Sequence, residues 1–155
     1  MNCIESLKIS ELHKNIFSNE AVYAGILRDV EAVVSPCDHK DLNLVPVKVC
    51  EIHRRLEEWE HSLQDLLLQE MHISVDEKFE RAARLHADFL KIHPFFDGNG
   101  LTSRALFGAL SQRLLGRILF IPRADQKYIS TLRLAIAGDI EPFKAYLLTC
   151  ASEGN

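Results

Sequence analysis

The sequence is short of the two residues that most often interrupt regular structure. Its 155 residues include only seven glycines and five prolines, so long uninterrupted elements are permitted over most of the chain. It also lacks an internal repeat, a low-complexity segment and the strand–helix alternation that predicts a parallel sheet. A chain of this length is the usual size of one domain, and it can bury a substantial core without disulfides.

Cysteine and long apolar runs are equally scarce. The four cysteines include no Cys-x-x-Cys pair, which argues against a disulfide framework and a zinc site and favours a reducing compartment. No run approaches the roughly 20 apolar residues that span a bilayer, and residues 1–14 have no signal-peptide core. We therefore expect a cytoplasmic protein with no membrane partner. A bacterial protein delivered into a host cell by a signal-less route would have the same composition.

An excess of positive charge is also missing. Acidic residues outnumber basic ones by 22 to 18, which gives a formal net charge of −4. Domains that bind nucleic acid usually present a broad basic surface. We therefore expect no nucleic-acid partner.

Helical periodicity dominates what the sequence does contain. Apolar residues recur at helical spacing over residues 4–17, 46–68, 74–92, 99–115, 125–137 and 139–150. Ser74, with Glu77 three residues later, is typical of a capping box at a helix start. Turn residues between valine-rich pieces predict a short hairpin, or flap, at about residues 36–46. The expected fold class is all-α, with six or seven helices and a short β-hairpin flap.

Several residues on these helices receive ordinary structural interpretations. Trp59 and the run Leu66–Leu68 are expected in the core, and they would form a homodimer face if they proved exposed. His53 and His61 lie on a charged helix and are expected to be solvated. His86 could line a site, but a partly buried surface position is the favoured interpretation.

The stretch "HPFFDGNGLTSR", His93 to Arg104, concentrates unlike residues between two predicted helices. Gly98, Asn99 and Gly100 lie where the second helix begins, and unpaired amides at a helix start form a natural cradle for a phosphate. Arg104, about one turn further on, could point a bidentate guanidinium at the same place. Taken singly, each residue has an ordinary explanation as a turn or a helix cap. Taken together, they favour a functional site.

His93 and Asp97 complete a set of chemical groups. Asp97 supplies the oxygen ligand that Mg²⁺ uses when it also binds nucleotide phosphates. A neutral His93 could take a proton from an attacking hydroxyl near physiological pH. The stretch therefore predicts attack of a hydroxyl on a nucleotide phosphate.

The same stretch resembles the signature of Fic domains, His-Pro-Phe-x-Asp/Glu-Gly-Asn-Gly-Arg-x-x-Arg, with Leu101 in place of the first arginine. The segments "AVYAGILRD" and "AARLHADFLKI" and the closing region from Gly116 to Cys150 are similar to the family as well. The resemblance covers about residues 12–150, and it implies a single Fic domain over residues 1–155 with its active-site loop at 93–104.

The resemblance implies a Fic-type helical bundle that transfers AMP from ATP to a Ser, Thr or Tyr hydroxyl of a target protein. His93 would be the general base, Asp97 would hold Mg²⁺, and Arg104 would contact the distal phosphate. The anion hole would be formed by Gly98, Asn99 and Gly100, and Tyr128 would be a further residue of the nucleotide site. The flap would register the target by strand addition, with Asp41, Leu42, Asn43 and Leu44 as the docking residues.

Leu101 is the main departure from the family pattern. Loss of a charge-assisted contact to phosphate costs about 1.5–3 kcal/mol. Three alternatives stay open: a weakened AMP transferase, a Fic enzyme that transfers a different phosphate-containing group, or a catalytically impaired Fic fold that acts as a protein- or nucleotide-binding module. A leucine would also fit here if its side chain turned into the core.

The segment "TCASEG", Thr149 to Gly154, fits the inhibitory pattern Ser/Thr-x-x-x-Glu-Gly/Asn that many Fic proteins carry. In that interpretation Glu153 would be the regulatory residue. The pattern has three free positions and falls at the end of the last predicted helix, so a chance match is favoured. Inhibition by a separate partner protein stays an alternative.

Overall fold

The computed structural model describes residues 8–17, 22–34, 44–122 and 125–153, without the side chains of 151–153. Those ranges contain six α-helices, and a 3₁₀ turn (Val49–Glu51) precedes the second of them. The helices are α1 (Ile9–Phe17), α2 (Ile52–Gln69), α3 (Val75–Ile92), α4 (Asn99–Leu115), α5 (Gln126–Ile136) and α6 (Glu141–Glu153). The prediction of an all-α bundle of six or seven helices is confirmed.

α3 begins and ends as its sequence predicts. The backbone N–H of Glu77 donates to the Ser74 hydroxyl at 3.2 Å, which satisfies one of the unpaired amides of the first turn. At the other end His93 is the C-cap residue, and Pro94 follows it and cannot continue a helix.

α3 is the central helix of the bundle, because α2, α4, α5 and α6 all pack against it. Four phenylalanines, one on α3 and three packed against it, have no more than 2% of their surface exposed: Phe89, Phe95, Phe107 and Phe143. Trp59 on α2 is buried too, and its indole N–H donates to the carbonyl of Leu85 at 2.8 Å. A rigid central helix therefore sets the position of the loop that follows it.

The run Leu66–Leu68 divides between core and surface. Leu66 and Leu67 are buried, as predicted, whereas Leu68 is 80% exposed and the prediction that it belongs to the core is wrong. Helical geometry explains the difference, because consecutive residues of a helix point about 100° apart and cannot share one face.

Two isolated antiparallel bridges join extended segments in the described ranges, Leu27 with Phe95 and Val34 with Leu44. Val34 and Leu44 exchange two backbone hydrogen bonds of 3.0 Å, so the chain leaves and returns antiparallel at the base of the predicted flap. Of the predicted docking residues, Leu44 lies at this bridge. Asp41, Leu42 and Asn43 lie outside the described residues.

A search of the described helices for a membrane span finds none with the necessary length and apolarity.

Candidate active site

His93 ends α3 in a left-handed conformation, with φ 50° and ψ 59°. Among the described residues it is the one non-glycine with positive φ. That conformation costs about 1–2 kcal/mol for an L-residue, so it persists only where the surroundings enforce it. Its N–H still donates to the carbonyl of Phe89 at 2.9 Å. The strained residue is the one predicted to be the general base.

Burial lowers the pKa of His93 to about 4, and the nearby positive charge of Arg28 acts in the same direction. The imidazole is therefore neutral at physiological pH. Its Nδ1 is buried and has no hydrogen-bond partner in the described part of the chain. The Leu90 carbonyl and the carboxylate of Asp97 act in the opposite direction and raise the pKa of His93. A neutral imidazole can take up a proton, which is the first requirement of a general base.

Arg28 holds the end of α3 in place. It is only 3% exposed, and its Nε donates to the carbonyl of His93 at 2.7 Å. Its other nitrogens donate to the carbonyls of Val30, Val47 and Ile92. Carbonyls at a helix C-terminus have no partner within the helix, and here one buried guanidinium supplies it. Arg28 is absent from the predicted site residues, and a lone arginine within the apolar stretch "GILRDV" is the signal that could have found it.

Asn99 closes the loop between α3 and α4. Its side chain is 2% exposed, accepts from the N–H of Phe95 at 2.9 Å and donates to the carbonyl of the same residue at 2.8 Å. The amide side chain is fully used as a brace. Asn99 could therefore contribute to an anion hole only through its backbone N–H.

His13 on α1 fastens the loop from the other side. Its Nδ1 accepts from the N–H of Gly25 at 2.8 Å, so the ring proton lies on Nε2, which donates to the carbonyl of Asp97 at 2.9 Å. The ring is fully buried and stacks on Phe95 with 3.8 Å between centroids. His13 is also missing from the predicted site residues, because nothing local marks a histidine whose partners lie so far away in the chain.

Gly98 is required where it stands. Its φ is 75°, and a Cβ at this position would lie 2.3 Å from the ring of Phe17. The left-handed conformation and the close approach of α1 both demand a residue without a side chain. The glycine predicted to form the cradle is thus also the place where α1 covers the loop.

The start of α4 presents the predicted amide cradle. The first helical hydrogen bond runs from the N–H of Thr102 to the carbonyl of Gly98 at 2.9 Å. The amides of Asn99, Gly100 and Leu101 therefore precede the hydrogen-bond ladder of the helix, at the positive end of its dipole.

Arg104 is half-buried one turn into α4. Its Nη1 lies 3.2 Å from the place that a Cβ on Gly100 would occupy. The guanidinium thus folds back over the first turn of its own helix, as predicted from the spacing. A permanent positive charge therefore lies beside the first turn of α4, at the positive end of the helix dipole, and both favour a phosphate.

Asp97 is exposed beside the cradle, and the N–H of Gly98 donates to its Oδ1 at 2.6 Å. No set of three or more metal-ligating side chains comes together among the residues that the structure describes. Mg²⁺ in nucleotide sites is commonly held by one or two carboxylates, with water and substrate phosphates as its other ligands. A single carboxylate next to a phosphate cradle fits an ion that arrives with a nucleotide.

Leu101 is 46% exposed, so the alternative in which its side chain turns into the core is wrong. Phe96 in the same loop is 45% exposed as well. The predicted phosphate site is therefore bordered by apolar side chains.

Tyr128 lies in the interior, with 3% of its surface exposed and its hydroxyl 2.7 Å from Nε2 of His86. His86 itself is 2% exposed, so the interpretation as a partly buried surface residue is wrong. Residues of α4, α5 and α6 enclose its side chain, and helical periodicity in the sequence does not show which helices cover that face of α3. His53 and His61 are exposed, as predicted. Glu153 is the last residue of α6, and its side chain lies outside the described part of the structure.

Together the fold and the loop define a class of protein: a helical bundle that presents a neutral histidine, an amide cradle, an arginine and a carboxylate at one loop. The chain belongs to the Fic/DOC family, whose sequence model matches residues 4–111.

Named relatives agree with this membership. Over 150 residues the chain is 32% identical to "Protein adenylyltransferase Fic" of Drosophila erecta, in a match that covers 94% of this chain and 27% of that protein. A solved structure of Fic-1 from C. elegans has a TM-score of 0.72 at 26% identity, covering 94% of this chain and 40% of that one. A Fic domain-containing signalling protein from Bacteroides thetaiotaomicron shares the fold, with a TM-score of 0.74 at 22% identity over 94% and 58% of the two chains. The chain spans about a quarter of the length of the curated relatives it matches.

Proposed function

We propose that this chain is a protein adenylyltransferase that transfers AMP from ATP to a Ser, Thr or Tyr hydroxyl of a target protein. The observation that carries the proposal is the neutral, half-buried His93, held in a left-handed conformation within electrostatic reach of Asp97, in the loop that leads into the first turn of α4. The similarity to the Drosophila protein adenylyltransferase supports it.

In this mechanism the target hydroxyl attacks the α-phosphorus of ATP while His93 takes its proton. A bond forms between the hydroxyl oxygen and phosphorus, the bond to the β-phosphate oxygen breaks, and pyrophosphate leaves. The amides of Asn99, Gly100 and Leu101 would donate to phosphate oxygens whose charge grows in the transition state. Arg104 would bind the distal phosphates and neutralise the leaving pyrophosphate.

Asp97 would hold Mg²⁺ on the phosphates of bound ATP. When bound, the ion neutralises phosphate charge and orients the leaving group. Asp97 itself would stay fixed by the hydrogen bond from Gly98.

The test is labelling with ATP carrying a radioactive α-phosphate, against a cell lysate and against the protein itself. We expect His93→Ala to reduce incorporation by about 10²–10⁴-fold, the usual contribution of a general base. His53→Ala is the matched control, because His53 is an exposed histidine on α2, and it should label as the unaltered protein does. Equal labelling by the unaltered protein and His93→Ala would contradict the proposal.

A second candidate function rests on Leu101. An exposed leucine at the cradle leaves a phosphate with one cation fewer than the family signature provides, which favours an impaired enzyme that acts as a binding module. Calorimetry with Mg²⁺–ATP separates the two candidates. If the chain is an adenylyltransferase, the unaltered protein should bind ATP, and the Leu101→Arg variant should bind it about tenfold more tightly. A binding module for other ligands would show ATP binding only in the variant, or in neither.

Leu101 is also compatible with transfer of a different phosphate-containing group. Incubation with a panel of labelled nucleotides, followed by mass spectrometry of modified hydroxyls, would identify the group that moves. Incorporation from a donor other than ATP, lost in His93→Ala, would favour this variant of the function.

The target would dock at the flap by strand addition at Leu44 and the neighbouring Asp41, Leu42 and Asn43. The exposed Val33 and Val45 beside the Val34–Leu44 bridge support a surface open to a partner. Leu44→Pro, which removes the N–H that donates to Val34, should lower labelling of a target more than labelling of the protein itself.

Regulation would come from Glu153 or from an inhibitory partner protein. Unchanged activity and ATP affinity in Glu153→Gly would exclude self-inhibition and leave inhibition by a partner protein.

Within the run Leu66–Leu68, the exposed Leu68 is the residue that supports a homodimer. Sedimentation of the unaltered protein and of Leu68→Glu would test it.

A further inference from the structure

A buried polar cluster connects three helices behind the active-site loop. It consists of His86 on α3, Ser103 on α4 and Tyr128 on α5, each 3% exposed or less. Nε2 of His86 lies 2.7 Å from the Tyr128 hydroxyl, and its Nδ1 lies 2.7 Å from the Ser103 hydroxyl and 3.3 Å from the Ser103 carbonyl. The Ser103 hydroxyl also lies 3.4 Å from the carbonyl of His86. The His86 ring stacks on Phe143 of α6.

The hydrogen bonds of this cluster share one donor direction, from Tyr128 through His86 to Ser103. Burial lowers the pKa of His86 to about 3 and raises the pKa of Tyr128, so the imidazole carries one proton and the phenol keeps its own. A carbonyl only accepts, so the contact from Nδ1 to the Ser103 carbonyl places the imidazole proton on Nδ1. Nε2 then accepts from the Tyr128 hydroxyl. The Ser103 hydroxyl accepts from Nδ1 and donates to the His86 carbonyl.

The cluster ends next to the phosphate-binding arginine. Ser103 directly precedes Arg104 on α4, and the positive charge of Arg104 reaches both His86 and Tyr128, where it lowers the pKa of each. The same guanidinium lies over Gly100 at the start of the helix. One side chain is therefore adjacent to the buried cluster and to the cradle.

We propose that Tyr128, His86 and Ser103 form a positioning chain that locks the first turns of α4 against α5 and so holds Arg104 over the amide cradle. Tyr128 then acts on a bound phosphate through Arg104 and does not touch the nucleotide. The expected effect on ATP binding rests on the proposed function, whereas the ordering of the Arg104 side chain does not depend on it.

The direct test is the mobility of the Arg104 side chain, measured by nitrogen-15 relaxation of its Nε–H group in the protein without nucleotide. We expect an ordered Nε in the unaltered protein and a drop of its order parameter toward the flexible range, below about 0.6, in Tyr128→Phe and in Ser103→Ala. Tyr146→Phe is the matched control, because Tyr146 is a buried tyrosine whose ring packs beside that of Tyr128. It should leave Arg104 ordered. An Arg104 signal that is the same in all four proteins would overturn the proposal.

Calorimetry then separates an indirect role of Tyr128 from a direct one. Tyr128→Phe should weaken binding of Mg²⁺–ATP about threefold to tenfold, and it should have no further effect in the Arg104→Ala background. An equal loss in both backgrounds would mean that Tyr128 contacts the nucleotide, which overturns the proposal. If the unaltered protein does not bind Mg²⁺–ATP, the proposed function fails, and the relaxation measurement still decides the positioning chain.

Discussion

His86 and His93 stand seven residues apart along α3, and burial lowers the pKa of both, to about 3 and about 4. His86 lies in the body of the helix, where both ring nitrogens have hydrogen-bond partners and the ring stacks on Phe143. His93 lies where the helix ends, with a left-handed backbone and a buried nitrogen that has no partner in the described chain. The same residue type is enclosed where three neighbouring helices pack against it, and it is only half-buried where a helix stops.

The difference depends on what holds the end of α3 in place. At His86 the neighbouring helices supply the partners of the ring, whereas at His93 one buried arginine binds the backbone carbonyls, and Nδ1 of the ring has no partner in the described chain. The left-handed backbone of His93 therefore depends on a partner outside its own helix.

Removing Arg28 should have the largest effect on this contrast. Arg28→Leu leaves four carbonyls at the end of α3 and beside it without their donor, and at about 1 kcal/mol for each we expect the free energy of unfolding to fall by about 3–4 kcal/mol. Urea denaturation measures it. Arg54→Leu is the control, since an exposed arginine paired with Glu58 on the same helix should cost less than about 0.5 kcal/mol. Equal losses of unfolding free energy in the two variants would show that Arg28 does not stabilise the end of α3.

Alanine at each of the two histidines should separate their roles. His86→Ala creates a cavity and unpairs two buried hydroxyls, so we expect a loss of about 2–3 kcal/mol of unfolding free energy. His93→Ala removes a ring that has an unpaired nitrogen, and it should change stability by less than about 1 kcal/mol. Denaturation curves of the two variants provide the comparison, and a larger loss for His93→Ala would reverse it.

Acid should destabilise the protein through both histidines. Each is neutral in the folded protein below its ordinary pKa of 6.5, whereas the unfolded chain binds a proton there. Stability therefore falls as the pH drops from about 6.5 toward about 4, by up to about 1.4 kcal/mol per pH unit for each histidine. Unfolding free energies measured between pH 7 and 5 should fall less steeply in His86→Phe. An identical slope in the variant would show that His86 takes up a proton without unfolding.

The smallest effect is expected at the glycines of the loop. Gly98→Ala forces a left-handed alanine against Phe17, and we expect a loss of about 1–2 kcal/mol of stability. Gly100→Ala should be neutral for folding, because its new Cβ meets only the end of the Arg104 side chain at 3.2 Å, yet it should weaken binding of Mg²⁺–ATP. Thermal unfolding and calorimetry check the pair, and a stability loss shared by both variants would show that the cradle is as tightly packed as the α1 contact.

Features with a local cause could be predicted from the sequence. Ser74 caps α3, Gly116 ends α4 in a left-handed conformation, and Asp125 caps α5 by accepting from the N–H of Tyr128. Each depends on residues within one turn of the chain, so the sequence pattern contains the whole interaction. The first turn of α4, from Asn99 to Arg104, belongs to the same class, because the guanidinium of Arg104 and the free amides lie within one and a half turns of one helix.

Features with a distant partner could not be predicted in the same way. The interior position of His86 depends on Tyr128, 42 residues away, and the role of His13 depends on Asp97, 84 residues away. Helical periodicity says which face a residue occupies, but not which helix covers that face. Leu101 illustrates the same limit, since its exposure follows from the packing of the helices around it.

The fastening of the loop by α1 also has a consequence for the order of folding. Contacts between segments far apart in the chain close large loops and form late, whereas adjacent helices can pair early. The bundle of α3 with its neighbours can thus exist before His13 reaches the loop, and the amide of Gly25, which donates to His13, should exchange with solvent sooner than amides in the middle of α3. A temporary departure of α1 would then release the loop that carries His93 while the bundle around α3 stays folded.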